Sequence, residues 1–124
     1  MEPILKEVGA KRFIRLKVSG AFHSRYMKAA QEEFKSFVKK ITFRKPMIPV
    51  ISNFTSLPYS HQDMAETLTN RISNPVRWEQ SVQYLLNQGE AEFVEVGPGK
   101  VLTGLVRQIK RAAAKSIAAK PVCV

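Results

Sequence analysis

His23 is the residue of this sequence whose type and position best suit chemistry. It stands in the stretch GAFHSRYM, residues 20–27, between Phe22 and Ser24. Histidine exchanges a proton most readily near neutral pH, where general bases are most effective. The other histidine, His61, lies in the polar stretch PYSHQD, which is typical of a loop. His23 is therefore a candidate base, although its type and position alone favour a capping or packing role.

A nucleophile or a metal partner for His23 is not evident. The elbow pattern Gly-x-Ser-x-Gly does not occur, and the single cysteine, Cys123, is the penultimate residue. Ser24 is adjacent to His23, but its position before a helical stretch predicts an N-cap. No second histidine or cysteine stands at metal-ligand spacing, so we predict no metal site. If His23 is a base, its partner is absent from this chain.

A second motif is VGPGK, residues 96–100. A glycine turn followed by a helix start and a lysine can hold an anion. The motif matches neither of the common phosphate-binding patterns, G-x-x-x-x-G-K-S/T and G-x-G-x-x-G. The interpretation we favour is a turn that packs a strand against a helix.

Hydrophobic periodicity predicts the elements on either side of His23. Ile14, Leu16 and Val18 alternate with basic residues, which predicts a half-exposed strand. Apolar residues then recur at spacings of three and four, which predicts an amphipathic helix over residues 25–40. The apolar stripe is Met27, Ala30, Phe34, Phe37, Val38 and Ile41, and the opposite face is Lys28, Glu32, Lys35 and Lys39. His23 is thereby placed at a strand-to-helix junction, where α/β proteins commonly build sites.

Strands and helices alternate through the rest of the sequence. PVISN, residues 49–53, predicts a buried parallel strand, and EFVEV, residues 92–96, predicts another. A weakly helical stretch covers residues 63–72. Asn74-Pro75 predicts a helix start, because Asn can cap free amides and Pro is tolerated at the first helical position. That helix would end at Gly89, and the last helix would carry the stripe Val101, Leu102, Leu105, Val106 and Ile109. The alternation predicts an α/β fold with parallel strands.

Composition limits the classes of protein to which the chain can belong. With 124 residues and 44% apolar content, it has the length and the core of one globular domain. No run of about 18 apolar residues and no secretory leader is visible, so we expect a cytoplasmic protein without a membrane span. The net charge of +10 favours acidic partners. A nucleic-acid-binding module is disfavoured, because the aromatic residues occupy core-like helical positions and no known binding motif appears.

Four stretches occur in an order and spacing that resemble one known family. They are VSGAFHSRYM, ITFRKPMIPVISN, ISNPVRWEQSVQYL and FVEVGPGKVLTGL. Together they are similar to the C-terminal part of malonyl-CoA:acyl carrier protein acyltransferases of fatty acid synthesis and of polyketide synthases. The resemblance covers roughly residues 3–111, and GAFHS most resembles the malonyl-specific polyketide enzymes.

The resemblance implies a division of the chain and roles for three residues. Residues 1–19 would end a small ferredoxin-like subdomain, residues 20–111 would be the C-terminal part of a hydrolase-like large subdomain, and residues 112–124 would be a basic tail, a candidate for disorder. His23 would be the base of a Ser-His dyad whose serine lies in an upstream Gly-His-Ser-Leu-Gly-type elbow. Phe22 would exclude the extra methyl of methylmalonyl groups, with simple packing as the alternative. Arg71 stands where the family often has Gln, and its backbone carbonyl would orient His23.

The implied reaction moves a malonyl group from malonyl-CoA to the phosphopantetheine thiol of an acyl carrier protein through a serine ester. It needs no bound cofactor or metal, and malonyl-CoA is a substrate. The implied partners are an acidic carrier protein and the missing N-terminal half of the enzyme. An acyl hydrolase fragment and an inactive remnant are the alternatives. We expect the chain alone to be inactive and poorly soluble, because neighbouring strands would be needed to cover residues 49–52 and 92–96.

Overall fold

The computed structural model describes residues 2–14, 20–89 and 92–118. Within these ranges the chain forms five α-helices, which we number in chain order. They are α1 (Glu2–Glu7), α2 (Lys28–Val38), α3 (Met64–Asn70), α4 (Trp78–Asn87) and α5 (Val101–Ala118), and a 3₁₀ turn at Arg25–Met27 precedes α2. Helix α2 packs against α3, and α4 packs against α5. No helix in the described ranges combines the length and the apolar character needed to cross a bilayer.

The helix predictions are largely confirmed. The predicted helix over residues 25–40 is present as the 3₁₀ turn followed by α2, and the weakly helical stretch is α3. Helix α4 ends at Asn87, two residues before Gly89, whose φ of 126° is one that glycine adopts without strain. Helix α5 extends to Ala118, so residues 112–118 of the expected tail are helical.

The predicted start of α4 is wrong by three residues. The helix begins at Trp78 after Arg77, which provides no side-chain cap. The Asn74 side chain instead donates to the carbonyl of Asn70 at 2.7 Å, at the end of α3. The Arg77 N–H donates to the carbonyl of Asn53 at 2.8 Å, which fixes the chain ahead of the helix. Asn74 therefore closes the preceding helix instead of opening the next one.

The predicted strands are not formed in the described part of the chain. Residues 92–96 lie in no strand, and near residues 49–53 there is a single antiparallel bridge between Ile51 and Pro58. A strand is defined by its hydrogen bonds to a neighbour, and these segments find no parallel partner among the described residues. The predicted strand through Leu16 and Val18 falls largely on residues 15–19, which lie outside the described residues.

The buried face of α2 also differs from its predicted stripe. Val38 is buried, with 2% of its surface exposed, whereas Phe37 is 60% exposed and Ile41 is 41% exposed. The buried face runs through Met27, Gln31, Phe34 and Val38, with Gln31 only 4% exposed. The predicted polar face is exposed throughout. A glutamine therefore occupies a position on α2 where the periodicity alone would place an apolar residue.

The apolar core of the described chain is small. Four apolar side chains are buried, namely Val38, Met64, Val82 and Val106. Many large apolar side chains are exposed instead, including Met47, Val94 and Val96, and Val96 is 95% exposed. Contiguous exposed apolar surface marks places where another surface binds. The core therefore positions the helices but leaves apolar segments uncovered.

Candidate functional site

The loop that carries His23 is fixed by Ser24. The Ser24 hydroxyl donates to the carbonyl of Ala21 at 2.6 Å and accepts from the backbone N–H of Tyr26 at 3.3 Å. The predicted N-cap is thus confirmed, for the 3₁₀ turn that leads into α2. Because the hydroxyl proton of Ser24 is used within the loop, this side chain positions the loop and is not poised to act as a nucleophile.

His23 has an unusual backbone conformation. Its φ is +59°, in the left-handed region, where histidine is one of the few enriched non-glycine residues. Such a conformation costs about 1–3 kcal/mol and persists only when surrounding contacts impose it. One of those contacts is the His23 N–H, which donates to the carbonyl of Ile72 at 3.2 Å. The exposed His23 side chain therefore lies on a loop that is fixed by the bonds of Ser24 and by the bond of the His23 N–H to Ile72.

The His23 ring is oriented by the backbone of Arg71. The Nδ1 atom lies 2.9 Å from the Arg71 carbonyl oxygen, across 48 residues of sequence. A carbonyl oxygen can only accept, so Nδ1 carries the proton and donates it. In the neutral ring, Nε2 then carries the lone pair. This is the tautomer that a base needs if it is to accept a proton at Nε2.

Phe22 lies beside His23 and is 60% exposed. Its ring folds back over Gly20, so that a Cβ added at Gly20 would lie 3.4 Å from the ring. A side chain with this much exposed surface contributes little to the packing of the described chain. The structure thus brings the His23 ring to the Arg71 carbonyl, with Phe22 next to His23 in the chain, while His61 is exposed in a separate loop.

The residue before the VGPGK turn, Glu95, binds the start of α5 through its carboxylate. Glu95 accepts from the Leu102 N–H at 3.2 Å and, through its other oxygen, from the Thr103 N–H at 2.9 Å and the Thr103 hydroxyl at 2.6 Å. The Thr103 hydroxyl and N–H, helped by the Leu102 N–H, hold the pKa of this carboxyl below its ordinary value. Amides of the α5 N-terminus that an external anion would use are already bound, which agrees with the packing interpretation of this turn.

Within the part of the chain that the structure describes, the His23 ring hydrogen-bonds to Arg71 alone. Across the same residues, no three His, Cys, Asp or Glu side chains lie close enough together to hold a metal ion. The arrangement can orient a histidine and present its Nε2 atom to an incoming group. Any hydroxyl that donates its proton to Nε2 must come from outside this arrangement.

The sequence analysis missed Gln31, whose side chain is held between Asn70 and Ser73 on either side of Arg71. One feature of the sequence could have revealed it. Gln31 is four residues after Met27 and three before Phe34, so it falls on the buried face of α2, where an amide requires polar partners. Asn70 and Ser73 lie in a stretch with no periodicity, and nothing in the sequence pairs them with Gln31.

Comparisons with known proteins place the chain in a family. The model of the acyl transferase domain matches residues 4–122. A Bacillus subtilis protein named polyketide biosynthesis malonyl CoA-acyl carrier protein transacylase PksC is 52% identical over 96 residues, which are 77% of this chain and 33% of that protein. The chain therefore spans about a third of the length of this relative.

Solved structures give the same result. The malonyl CoA-acyl carrier protein transacylase of Burkholderia pseudomallei matches with a TM-score of 0.78 and 38% identity, over 97% of this chain and 42% of that one. A second match, with a TM-score of 0.79 and 36% identity over 86% of this chain and 35% of the other, is a malonyl-transacylase in complex with a type II polyketide acyl-carrier protein. These similarities support the α/β class despite the unpaired strand segments.

Proposed function

The chain belongs to the acyl transferase domain family, and from this membership we propose that it takes part in malonyl transfer. The donor is malonyl-CoA, and the acceptor is the phosphopantetheine thiol of an acyl carrier protein in polyketide or fatty acid biosynthesis. The observation that carries the proposal is the hydrogen bond between His23 Nδ1 and the Arg71 carbonyl, which leaves Nε2 free to accept a proton. The names of its relatives support the substrate class.

His23 acts as the base in both halves of the reaction. In the first, Nε2 takes the proton of a serine hydroxyl while the serine oxygen attacks the malonyl thioester carbonyl. The C–S bond then breaks, and the CoA thiolate leaves with the proton from the imidazolium, which gives a malonyl-serine ester. In the second half, the phosphopantetheine thiol gives its proton to Nε2 and attacks the ester, and the serine oxygen recovers the proton. The Arg71 carbonyl keeps Nδ1 protonated and stabilises the imidazolium that forms.

The serine lies outside these 124 residues. The sequence contains no elbow serine, and the one serine beside His23 uses its hydroxyl proton to hold the loop. The exposed apolar side chains of Val94 and Val96 provide a surface against which such a polypeptide can pack. We therefore propose that the N-terminal part of an acyltransferase completes the dyad and covers this surface.

Phe22 selects the malonyl group. Phe22 directly precedes His23 in the chain, and its exposed ring is not needed for packing within the described residues. A ring in that place fills the volume that the methyl of a methylmalonyl group would need. One methyl in an apolar pocket accounts for about 1–3 kcal/mol of discrimination, so Phe22 tunes the selectivity and does not make it absolute.

A transfer assay tests the proposal. A phosphopantetheinylated carrier protein is incubated with malonyl-CoA and this chain, with and without an N-terminal acyltransferase half that carries the serine elbow, and its intact mass is measured. We expect malonylation only when both polypeptides are present, its loss in the His23→Ala variant and its retention in the His61→Ala control. Malonylation by the chain alone, or by the His23→Ala combination, would contradict the proposed dyad.

A further inference from the structure

Gln31 is the most deeply buried polar side chain on α2, with 4% of its surface exposed. Its Nε2 atom donates to the Asn70 side-chain oxygen at 3.0 Å, and its Oε1 atom accepts a hydrogen bond from the Ser73 hydroxyl. One side chain therefore uses its donor and its acceptor on two residues that flank Arg71 and Ile72. Ser73 is also buried, with 7% of its surface exposed. Loss of this hydrogen bond would therefore leave a buried polar group without a partner, which lowers the stability of the fold.

The segment that Gln31 holds is the one that positions His23. The Arg71 carbonyl accepts from the His23 ring, and the Ile72 carbonyl accepts from the His23 backbone N–H. Asn70 and Ser73 lie immediately before and after these two residues, so fixing both ends fixes the two carbonyls between them.

These contacts form a closed ring of chain segments joined by hydrogen bonds, which we call the Gln31 circuit. The chain runs from His23 through the 3₁₀ turn into α2, from the Gln31 side chain across to residues 70–73, and from the two carbonyls back to His23. A circuit of this kind imposes the left-handed φ of His23, because the loop cannot relax without breaking a bond at one of its ends. It also explains a glutamine on the buried face, since no apolar residue supplies both a donor and an acceptor.

We propose that Gln31 is a positioning residue for the base: it fixes residues 70–73, and thereby the tautomer and the direction of the His23 ring. The inference rests on the proposed function for its catalytic meaning. Its structural content, that Gln31 controls the His23 ring, is testable without any reaction.

The first test is nitrogen NMR of the histidine rings in the 124-residue chain, which contains only two histidines. We expect His23 of the unmodified chain to be predominantly the Nδ1-protonated tautomer. The Gln31→Ala variant should give a mixture of tautomers, while Gln80→Ala, which truncates an exposed glutamine on α4, should leave His23 unchanged. An unchanged His23 tautomer in folded Gln31→Ala would overturn the proposal, as would a mixture in the unmodified chain.

A second pair of variants keeps the test decisive if Gln31→Ala fails to fold. Ser73→Ala removes one of the two bonds made by Gln31 and leaves the glutamine in place, whereas Ser73→Thr retains the hydroxyl. We expect Ser73→Ala to shift His23 toward mixed tautomers and Ser73→Thr to restore the original state. Equal spectra for the two variants would contradict the circuit.

Kinetics of the chain combined with the serine-bearing half then connect the circuit to the reaction. Gln31→Ala should lower kcat by about 10-fold to 100-fold, because a misdirected base loses near-attack geometry. The KM for malonyl-CoA should be unchanged, since Gln31 does not touch the substrate. If the tautomer responds but the unmodified combination transfers no malonyl group, the proposed function is wrong and the Gln31 circuit stands. An unchanged kcat would overturn the positioning role.

Discussion

At the residue scale, the site is a histidine whose ring and backbone are each held by a main-chain carbonyl. The type and position of His23 made it only a candidate base, and the family resemblance implied both that role and the Arg71 carbonyl as its backbone partner. The Nδ1 atom of His23 lies 2.9 Å from the Arg71 carbonyl oxygen, and the proposed role of Arg71 rests on this contact. A backbone contact does not depend on side-chain identity, so the Arg found where the family often has Gln is compatible with it. The circuit through Gln31 escaped the sequence analysis, because its bonds join residues about 40 positions apart.

Phe22 gives a prediction at this scale. In the two-polypeptide assay, Phe22→Ser should lower the preference for malonyl-CoA over methylmalonyl-CoA by about 10-fold to 200-fold in kcat/KM, because the ring no longer occupies the space of the methyl. The matched control is Phe37→Ser, since Phe37 is also 60% exposed but lies on α2, away from the His23 loop. An unchanged preference, or the same loss in both variants, would exclude Phe22 as the selecting residue.

At the element scale, the helices were predictable and the strands were not. A helix satisfies its backbone hydrogen bonds internally, so periodicity and a stop residue such as Gly89 suffice to locate it. A strand depends on a neighbour, and residues 92–96 have none among those described. The start of α4 was missed for a related reason. Asn74 lies between two helices and could cap either one. The local sequence does not reveal that its side chain donates a hydrogen bond to the end of α3.

The turn that joins residues 92–96 to α5 gives a prediction at this scale, through the carboxylate of Glu95. Bonds from Thr103 and Leu102 lower the pKa of its carboxyl in the folded chain below the ordinary value of 4.5. A lowered folded pKa contributes stability above the unfolded value, and this stability is lost as the pH falls through the folded value. Glu95→Gln should therefore reduce Tm at pH 7, and the difference from the unmodified chain should shrink below pH 4.5.

Thermal unfolding from pH 7 to pH 3 measures this effect. The control is Glu92→Gln, which removes an exposed carboxylate from the same segment. A Tm difference for Glu95→Gln that stays constant across this range would show that the carboxylate charge does not fasten the turn.

At the scale of the whole molecule, the described residues include more exposed large apolar side chains than buried ones. Val94 and Val96 are 74% and 95% exposed on a segment without strand partners. We expect the serine-bearing half to bind this surface and, at 100 times its dissociation constant, to stabilise the chain by about 2.7 kcal/mol. Val96→Asp should abolish this gain while changing the free chain by less than about 0.5 kcal/mol, because the side chain is already exposed. Urea unfolding with and without the serine-bearing half measures the stability of the free chain and its stabilisation by that half. An equal stabilisation of the Val96→Asp variant would place the interface elsewhere.

The basic charge of the molecule gives a prediction about carrier protein binding. The net charge is +10, and Lys39, Lys40, Arg44 and Lys45 are exposed beyond the end of α2. If they steer an acidic carrier protein, the double variant Lys39→Glu, Lys40→Glu should slow transfer at low salt and weaken its salt dependence. The control variant Lys11→Glu, Arg12→Glu changes the net charge by the same amount at a different exposed position. Identical rates and salt dependence for both variants and the unmodified chain would exclude steering by this cluster.

We propose that His23 takes the proton of a serine that lies outside these 124 residues, and the first half-reaction tests this proposal most directly. The serine-bearing half is mixed with malonyl-CoA in the presence and absence of this chain, and its mass is measured before any carrier protein is added. We expect a malonyl ester on that half only when the chain is present and His23 is intact. A malonyl ester that forms equally fast without the chain, or with His23→Ala, would show that His23 is not the base.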